Sequence, residues 1–205
     1  MNLFRRLFKG NDIKSEDEVR KLNEQLPADE QFAMNFTKNG GKFIYCTTEI
    51  QVQEVFRHIL KEPRRKELGV YVKMSSNASH TIKTMFEEHT PLFTADIETS
   101  NVYLTDCEYL ITTLGGIMLS SHQLRHKNIN ELPEIFIVFA KTSQMVRDIP
   151  EGMRGIKNKY PQQFPTGLIT LQSFTDDPEK NSINYYGTSS KRTYLILLED
   201  LPIDK

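Results

Sequence analysis

Leu110-Ile111-Thr112-Thr113-Leu114-Gly115-Gly116-Ile117-Met118-Leu119, followed by Ile135-Phe136-Ile137-Val138-Phe139-Ala140, is the part of the sequence whose reading decides the fold. Residues 106–140 hold three apolar runs. Tyr109-Leu110-Ile111 enters a Thr-Thr-Leu-Gly-Gly turn, and Ile117-Met118-Leu119 leaves it. Glycine tolerates positive φ, so Gly115-Gly116 lets these two runs fold back as a tight hairpin. Residues 135–140 form a short continuous apolar run rich in β-branched and aromatic side chains. That composition reads as a strand covered on both faces. Pro133, which lacks a backbone N–H, suits the entrance of that strand. The plain reading of the whole stretch is core with a convenient turn, since turn glycines are common.

Working outward, strands alternate with helices. Residues 42–46 read as a strand. Residues 48–61 read as an amphipathic helix capped by Thr47 or Thr48, with Val52, Val55, Phe56 and Ile59 on its buried face. Residues 69–73 are a second strand, residues 79–88 a second helix, and residues 91–94 a short extended piece. Upstream, residues 29–38 read as a helix closed by Asn39-Gly40-Gly41. Downstream, residues 143–160 are partly helical, with a middle made irregular by Pro150 and Gly152. Residues 166–171 and 191–198 are strand-like. This alternation implies βαβ units, a mainly parallel sheet and flanking helices in an α/β fold. With no repeat, low-complexity tract or linker, one domain spans residues 1–205, carrying an N-terminal helical extension at about 1–38.

Composition narrows the function classes. The 205 residues carry 26 Lys+Arg against 27 Asp+Glu, a net charge of −1, which excludes an overall electrostatic nucleic-acid binder. The only two cysteines, Cys46 and Cys107, lie far apart and form no Cys-x-x-Cys pair, so this chain cannot hold a four-cysteine iron–sulfur centre. No disulfide framework is visible, which points to a reducing compartment. No apolar run approaches the ~20 residues that cross a bilayer. Arg5, Arg6 and Lys9 interrupt the N-terminal apolar residues, unlike a secretory leader. A cytoplasmic protein is expected. Leu3, Phe4, Leu7 and Phe8 recur at helical spacing opposite those cations. The pattern fits a helix docked on its own domain or on a partner, or a small membrane-surface helix. Ser15 with Glu18 makes a capping box for a helix running to about Gln25.

The stretch around Gly115, with Leu132-Pro133-Glu134-Ile135-Phe136-Ile137-Val138, resembles the central segment of the LUD domain, the lactate-utilization protein C family. That family usually shows an acidic residue, Thr, Gly and Thr at the turn, then Leu-Pro-Pro entering a strand. Gly115 and Leu132-Pro133 match. Thr113 stands at the acidic position, Leu114 at the first Thr and Gly116 at the second. The order helix, Gly40-Gly41, strand, helix in the first half also resembles the family's start. A second resemblance lies further on, where the family carries Gly-Pro-Ser-x-Thr-Ala-Asp-Ile-Glu. Ser173, Thr175, Asp177 and Glu179 fall on its Ser, Thr, Asp and Glu, whereas Leu171, Gln172, Asp176 and Pro178 depart. Losing Gly-Pro and gaining Pro178 changes the backbone path and removes amides that would otherwise face an anion.

The resemblance implies a fold of the sugar-phosphate isomerase and CoA-transferase type. There, loops at the carboxyl ends of strands meet ligands. Gly115, Gly116 and the loop at residues 173–179 would wall one site. Thr112, Thr113, Ser173 and Thr175 would supply hydroxyls to a phosphate or carboxylate, and Asp177 or Glu179 would be the candidate base. Arg125, beside His126 and Lys127, is a basic cluster that would add an anion contact. The plain alternatives are an acidic surface turn at Asp176-Asp177-Pro178 and a solvated loop at Arg125. His122 and His126 have i, i+4 spacing, but they follow a hairpin and lack the glutamate of a metalloprotease motif, so no metal is expected. Gly40-Gly41-Lys42 is not a P-loop, because Phe36 and Phe43 occupy the glycine and hydroxyl positions. Gly152-Met153-Arg154-Gly155 has the spacing of an RNA-clamping loop, although a turn is its simpler reading.

By family resemblance, the chain would be the non-redox subunit of a cytoplasmic system oxidising L-lactate to pyruvate, with iron–sulfur clusters on separate partner subunits and no cofactor of its own. Two alternatives remain. One is a stand-alone enzyme or sensor for a phosphorylated or CoA-linked metabolite. The other is a scaffold that docks a partner through the N-terminal helix.

Overall fold

A computed structural model of the chain describes residues 26–61, 74–76, 80–86, 94, 96–174 and 191–200. The strands are β1 (Lys42–Cys46), β2 (Met74–Ser76), β3 (Val102–Thr105), β4 (Tyr109–Ile111), β5 (Gly116–Leu119), β6 (Ile135–Lys141), β7 (Met145–Val146), β8 (Ile169–Leu171) and β9 (Arg192–Leu198). The α-helices are α1 (Ala28–Lys38), α2 (Glu49–Leu60), α3 (His80–Met85), α4 (Ser121–Leu124) and α5 (Ile149–Lys159). The first sheet has the order β1-β9-β6-β3-β2, and every neighbouring pair in it is parallel. This is the expected α/β architecture, with β6 in the middle and buried on both faces.

Side-chain alternation divides the core into two layers. Phe136, Val138 and Ala140 of β6 and Leu195 and Leu197 of β9 face Phe32 and Phe36 of α1. Ile137, Phe139, Tyr194, Ile196 and Leu198 face Val52, Phe56 and Ile59 of α2 and Ile82 beside Phe86 at α3. Val55, expected on the buried face of α2, is only partly buried there. Thr48 is the cap of α2, its hydroxyl accepting the Gln51 N–H. Closure of α1 follows the Schellman pattern. Gly40, at φ 89°, donates its N–H to the Thr37 carbonyl, and Gly41 donates to Phe36.

A second, four-stranded sheet, β7-β4-β5-β8, was not expected. The Gly115 hairpin belongs to it, with Leu110 opposite Ile117 and Ile111 opposite Gly116. One face of this sheet gives Leu110, Ile117, Leu119 and Leu171 to the α1 layer. The other gives Ile111 and Met118 to Ile156 of α5. α1 therefore lies in the apolar layer shared by the two sheets.

Four local expectations are corrected. Of the Gly115-Gly116 pair, only Gly115 has positive φ, at 58°, whereas Gly116 is the first residue of β5. Pro150 does not disrupt a helix middle. It occupies the first turn of α5, where a missing N–H costs nothing, and Asp148 caps that turn by accepting the Glu151 N–H. Gly152 and Gly155 lie inside α5 rather than in a turn, because the helix rides close over β4 and β5. A Cβ would fall 3.1 Å from the Met118 methyl at position 152 and 2.3 Å from the Tyr109 hydroxyl at position 155. Finally, β3 was not anticipated as a strand. The strand expected at residues 69–73, the helices at 1–10 and 15–25, and most of 91–94 lie outside the described residues.

At Gly115, an added Cβ would meet the Phe36 nitrogen at 2.3 Å and the Asn35 carbonyl carbon at 2.4 Å, both backbone atoms of α1. At Gly167, φ is also positive, at 62°, but the nearest atom to such a Cβ is 3.9 Å away. Gly115→Ala is therefore expected to cost more than Gly167→Ala. Both variants carry a left-handed backbone penalty of roughly 1–2 kcal/mol, and overpacking against backbone adds about 1–3 kcal/mol at position 115 alone. Urea midpoints of the two variants measure the difference, and equal midpoints would contradict the close-approach account.

Candidate functional site

The hairpin turn and the segment after β8 come together at the end of α1. Asn35 Nδ2 donates to the Thr112 carbonyl at 2.9 Å and the Thr113 carbonyl at 3.2 Å. One helical turn on, Asn39 Nδ2 donates to the Leu114 carbonyl at 2.8 Å and the Gly115 carbonyl at 3.5 Å. The Phe174 N–H donates to the Asn39 carbonyl at 3.0 Å, and the Phe174 ring packs on Phe36 with centroids 4.6 Å apart. Gly116 faces Thr170, Leu171 and Gln172 so closely that a Cβ there would lie 2.9 Å from the Thr170 methyl. Thus Thr112, Thr113, Gly115 and Gly116 are brought beside the strand that leads to Ser173.

Most polar groups of the turn are engaged within the chain. The N–H groups of Thr112 and Thr113 bond to the Val146 and Arg147 carbonyls, and those of Leu114 and Gly115 to the Ile111 and Thr112 carbonyls. Thr112 is buried and Thr113 exposed, and both hydroxyls donate to the Arg147 carbonyl, at 3.3 and 2.9 Å. Ser173 is half-buried. Thr175, Asp177 and Glu179 lie outside the described residues. Arg125 stands at the other end of β5 from the turn, just past α4, in a left-handed conformation with φ 52°. Four residues of strand make that separation roughly 13 Å along the sheet. α4 ends at Leu124 and His126 has φ 56°, so His122 and His126 do not share a helix face.

A second polar cluster, which the sequence reading did not find, lies where β3 delivers its carboxyl end. Glu108 has a fully buried side chain. Its Oε2 accepts from Lys159 Nζ at 2.8 Å, and its Oε1 accepts from Ser120 Oγ at 2.8 Å. The Tyr160 hydroxyl donates to the same carboxylate at 3.2 and 3.3 Å. Gln123, which boxes the start of α4 with Ser120, reaches Asp106 with its amide at 3.4 Å. Gln144 donates to the Cys107 carbonyl at 2.7 Å. Tyr103 donates its hydroxyl to the Gln123 carbonyl.

These contacts set the charges. Burial alone would push the Glu108 carboxyl up, but hydrogen bonds from Lys159 and Ser120, with the Lys159 charge and Gln123, hold it below its ordinary value. Burial would lower Lys159, yet the Glu108 hydrogen bond and charge raise it. Desolvation raises the Tyr160 phenol. The carboxylate stays ionised while the ammonium and phenol keep their protons. None of these three groups is poised to exchange a proton near neutrality. The cluster acts as an electrostatic anchor joining the start of β4, the start of α4 and the end of α5. Glu108 lies 12 to 52 residues from the partners of its carboxylate, so no local spacing announces them.

The LUD domain matches residues 30–198. The chain belongs to the LUD-domain family. A crystal structure of a DUF162 family protein from Deinococcus radiodurans has the same fold, with a TM-score of 0.55 at 14% identity, covering 85% of this chain and 99% of that one. No curated protein matches the chain. In this LUD-domain protein, all of α1 but Ala28 and Asp29, the turn and the segment through Phe174 fall within the matched residues. Among the described residues, no helix is long and apolar enough to cross a membrane.

Lys159→Ala leaves the buried Glu108 carboxylate without its cation; because the Lys159 side chain is half exposed, the expected cost is about 1–3 kcal/mol, below that of a fully buried pair. Because Glu108 is depressed in the folded state, its stabilisation is present above its unfolded value of 4.5 and is lost as pH falls through the lower folded value. The gap in unfolding midpoint between wild type and Glu108→Gln should therefore be full at pH 7 and shrink below about pH 4.5. A gap independent of pH would show that Glu108 is not held as an anion.

Proposed function

We propose that this LUD-domain chain is a non-redox subunit of a cytoplasmic L-lactate oxidation system, working with separate subunits that carry iron–sulfur clusters. The observation that carries this reading is the LUD domain match over residues 30–198. The cysteines support the division of labour. Cys46 belongs to the core layer under α2 and Cys107 to the layer under α1, on opposite faces of the parallel sheet. Burial pushes both thiols up, away from the thiolate that binds metal. Electron transfer in such a system would run through the partners, with this chain contributing assembly or ligand binding.

A second reading, binding of a phosphorylated or CoA-linked metabolite, draws support from the meeting of the Gly115 turn with the strand entering Ser173. Its ligand groups would be Thr112, Thr113, Ser173 and Thr175 about Gly115 and Gly116, with Asp177 or Glu179 as base, whereas Arg125, beyond the far end of β5, falls outside that group. The described geometry narrows the contribution of the turn, because the hydroxyl protons of Thr112 and Thr113 are already committed to the Arg147 carbonyl.

The first reading predicts that tagged protein, captured anaerobically from its own cells, brings down cysteine-rich subunits with visible iron–sulfur absorbance. A clean, colourless chain without such partners overturns it. The second predicts a rise in unfolding temperature with coenzyme A or ribose 5-phosphate, equivalent to about 2.7 kcal/mol at a hundredfold excess over the dissociation constant. Ser173→Ala combined with Thr175→Ala should abolish that rise. No shift with either probe removes the second reading.

A further inference from the structure

We propose that Asn35 and Asn39 are positioning residues. Through the last turn of α1 they lock the hairpin turn and the segment at residues 170–174 into one unit, and that unit sets where Ser173 is presented. The role of Ser173 towards a ligand rests on the second reading above. The locking itself does not.

Asn35 and Asn39 are four residues apart and so share one face of α1. Their two side-chain amides serve four successive carbonyls, those of residues 112, 113, 114 and 115. The N–H groups of the same four residues are bonded within the chain as well. The turn thus has no backbone N–H left to cradle an anion, and its path is dictated by the helix that caps it. It has no room to slide, because Gly115 already lies against the α1 backbone.

The second connection leaves from the same residue. The Asn39 carbonyl accepts the Phe174 N–H, and β8 pairs with β5 through Leu171 opposite Ile117. Turn, β5, β8, residue 174 and Asn39 therefore form a closed ring. A ring of this kind resists distortion at any one position until a link breaks, so loosening the turn transmits to residue 174. Amide donors at positions 35 and 39, rather than mere bulk, are what the four carbonyls require.

The test is residue-resolved native-state hydrogen exchange on the full chain. Asn39→Asp keeps the shape but removes both donors, and leaves the backbone carbonyl that receives Phe174 in place. The expected result is exchange about tenfold faster at the Gly115 amide and also at the Phe174 amide, the scale of one or two lost hydrogen bonds. Asn39→Leu, which keeps the bulk without any donor, should lose the same protection. Acceleration confined to residues 112–115, or protection retained in Asn39→Leu, overturns the proposal. If Asn39→Asp does not fold, Asn35→Ala reports the same coupling and should accelerate Phe174 together with the turn. Because exchange is read without ligand, a negative screen with coenzyme A and ribose 5-phosphate leaves this outcome untouched. Uncoupled exchange likewise leaves any thermal shift with those probes standing.

Discussion

The close approach of α1 to the hairpin turn is the constraint on which the rest of the structure depends. Phe32 and Phe36 insert into an apolar layer that also receives β6 and β9 from one sheet and β4, β5 and β8 from the other. Full burial of each ring stabilises by about 2–3 kcal/mol. That gain requires the helix to sit where a side chain at position 115 would collide with its backbone. Glycine at 115 and the phenylalanine pair are thus parts of one packing solution. Moving the helix outward to admit a Cβ would open a gap beneath both rings.

The parallel sheet was legible because its strands carry strong local signals. β6 and β9 are continuous apolar runs and are buried along nearly their whole length. α2 has a clear cap and helical spacing and β1 is a short run after the Gly40-Gly41 stop, and the structure places both where the pattern predicts. β3 escaped because Val102-Tyr103-Leu104-Thr105 is four residues long and merges into polar residues on both sides. It is identified as a strand by its neighbours β2 and β6, not by its own composition. α5 was misread for a related reason. Proline and two glycines weaken helix propensity, but here the proline lies in the first turn and the glycines let the helix approach Tyr109 and Met118. Tertiary contact overrode local preference.

The candidate site was legible only where it follows chain order. Gly115 and Ser173 are found by motif, and the structure brings their segments together through Asn39. Asn35 and Asn39 themselves look like ordinary helix-end residues, since asparagine is common there. Their significance depends on partners about 75 residues away. The Glu108 cluster is harder still. A glutamate before a strand and a Lys-Tyr pair at a helix end are each ordinary, and only the fold makes them an ion pair about a buried carboxylate.

That ion pair and the asparagine joint divide the hairpin between them. Glu108 and Ser120 hold its open end to α4 and α5, while Asn35 and Asn39 hold its closed end to α1. Each end satisfies buried polar groups inside the chain, as a low-dielectric interior demands. A hairpin pinned at both ends has little freedom to close over a ligand. Any recognition it takes part in must use a surface already formed. A preformed face serves a subunit interface, since most pre-organised interfaces move little on binding, and it serves a small-molecule pocket equally, since such pockets are largely formed before the ligand arrives. The pinned hairpin therefore constrains how recognition occurs, through a fixed surface, and not which partner is recognised.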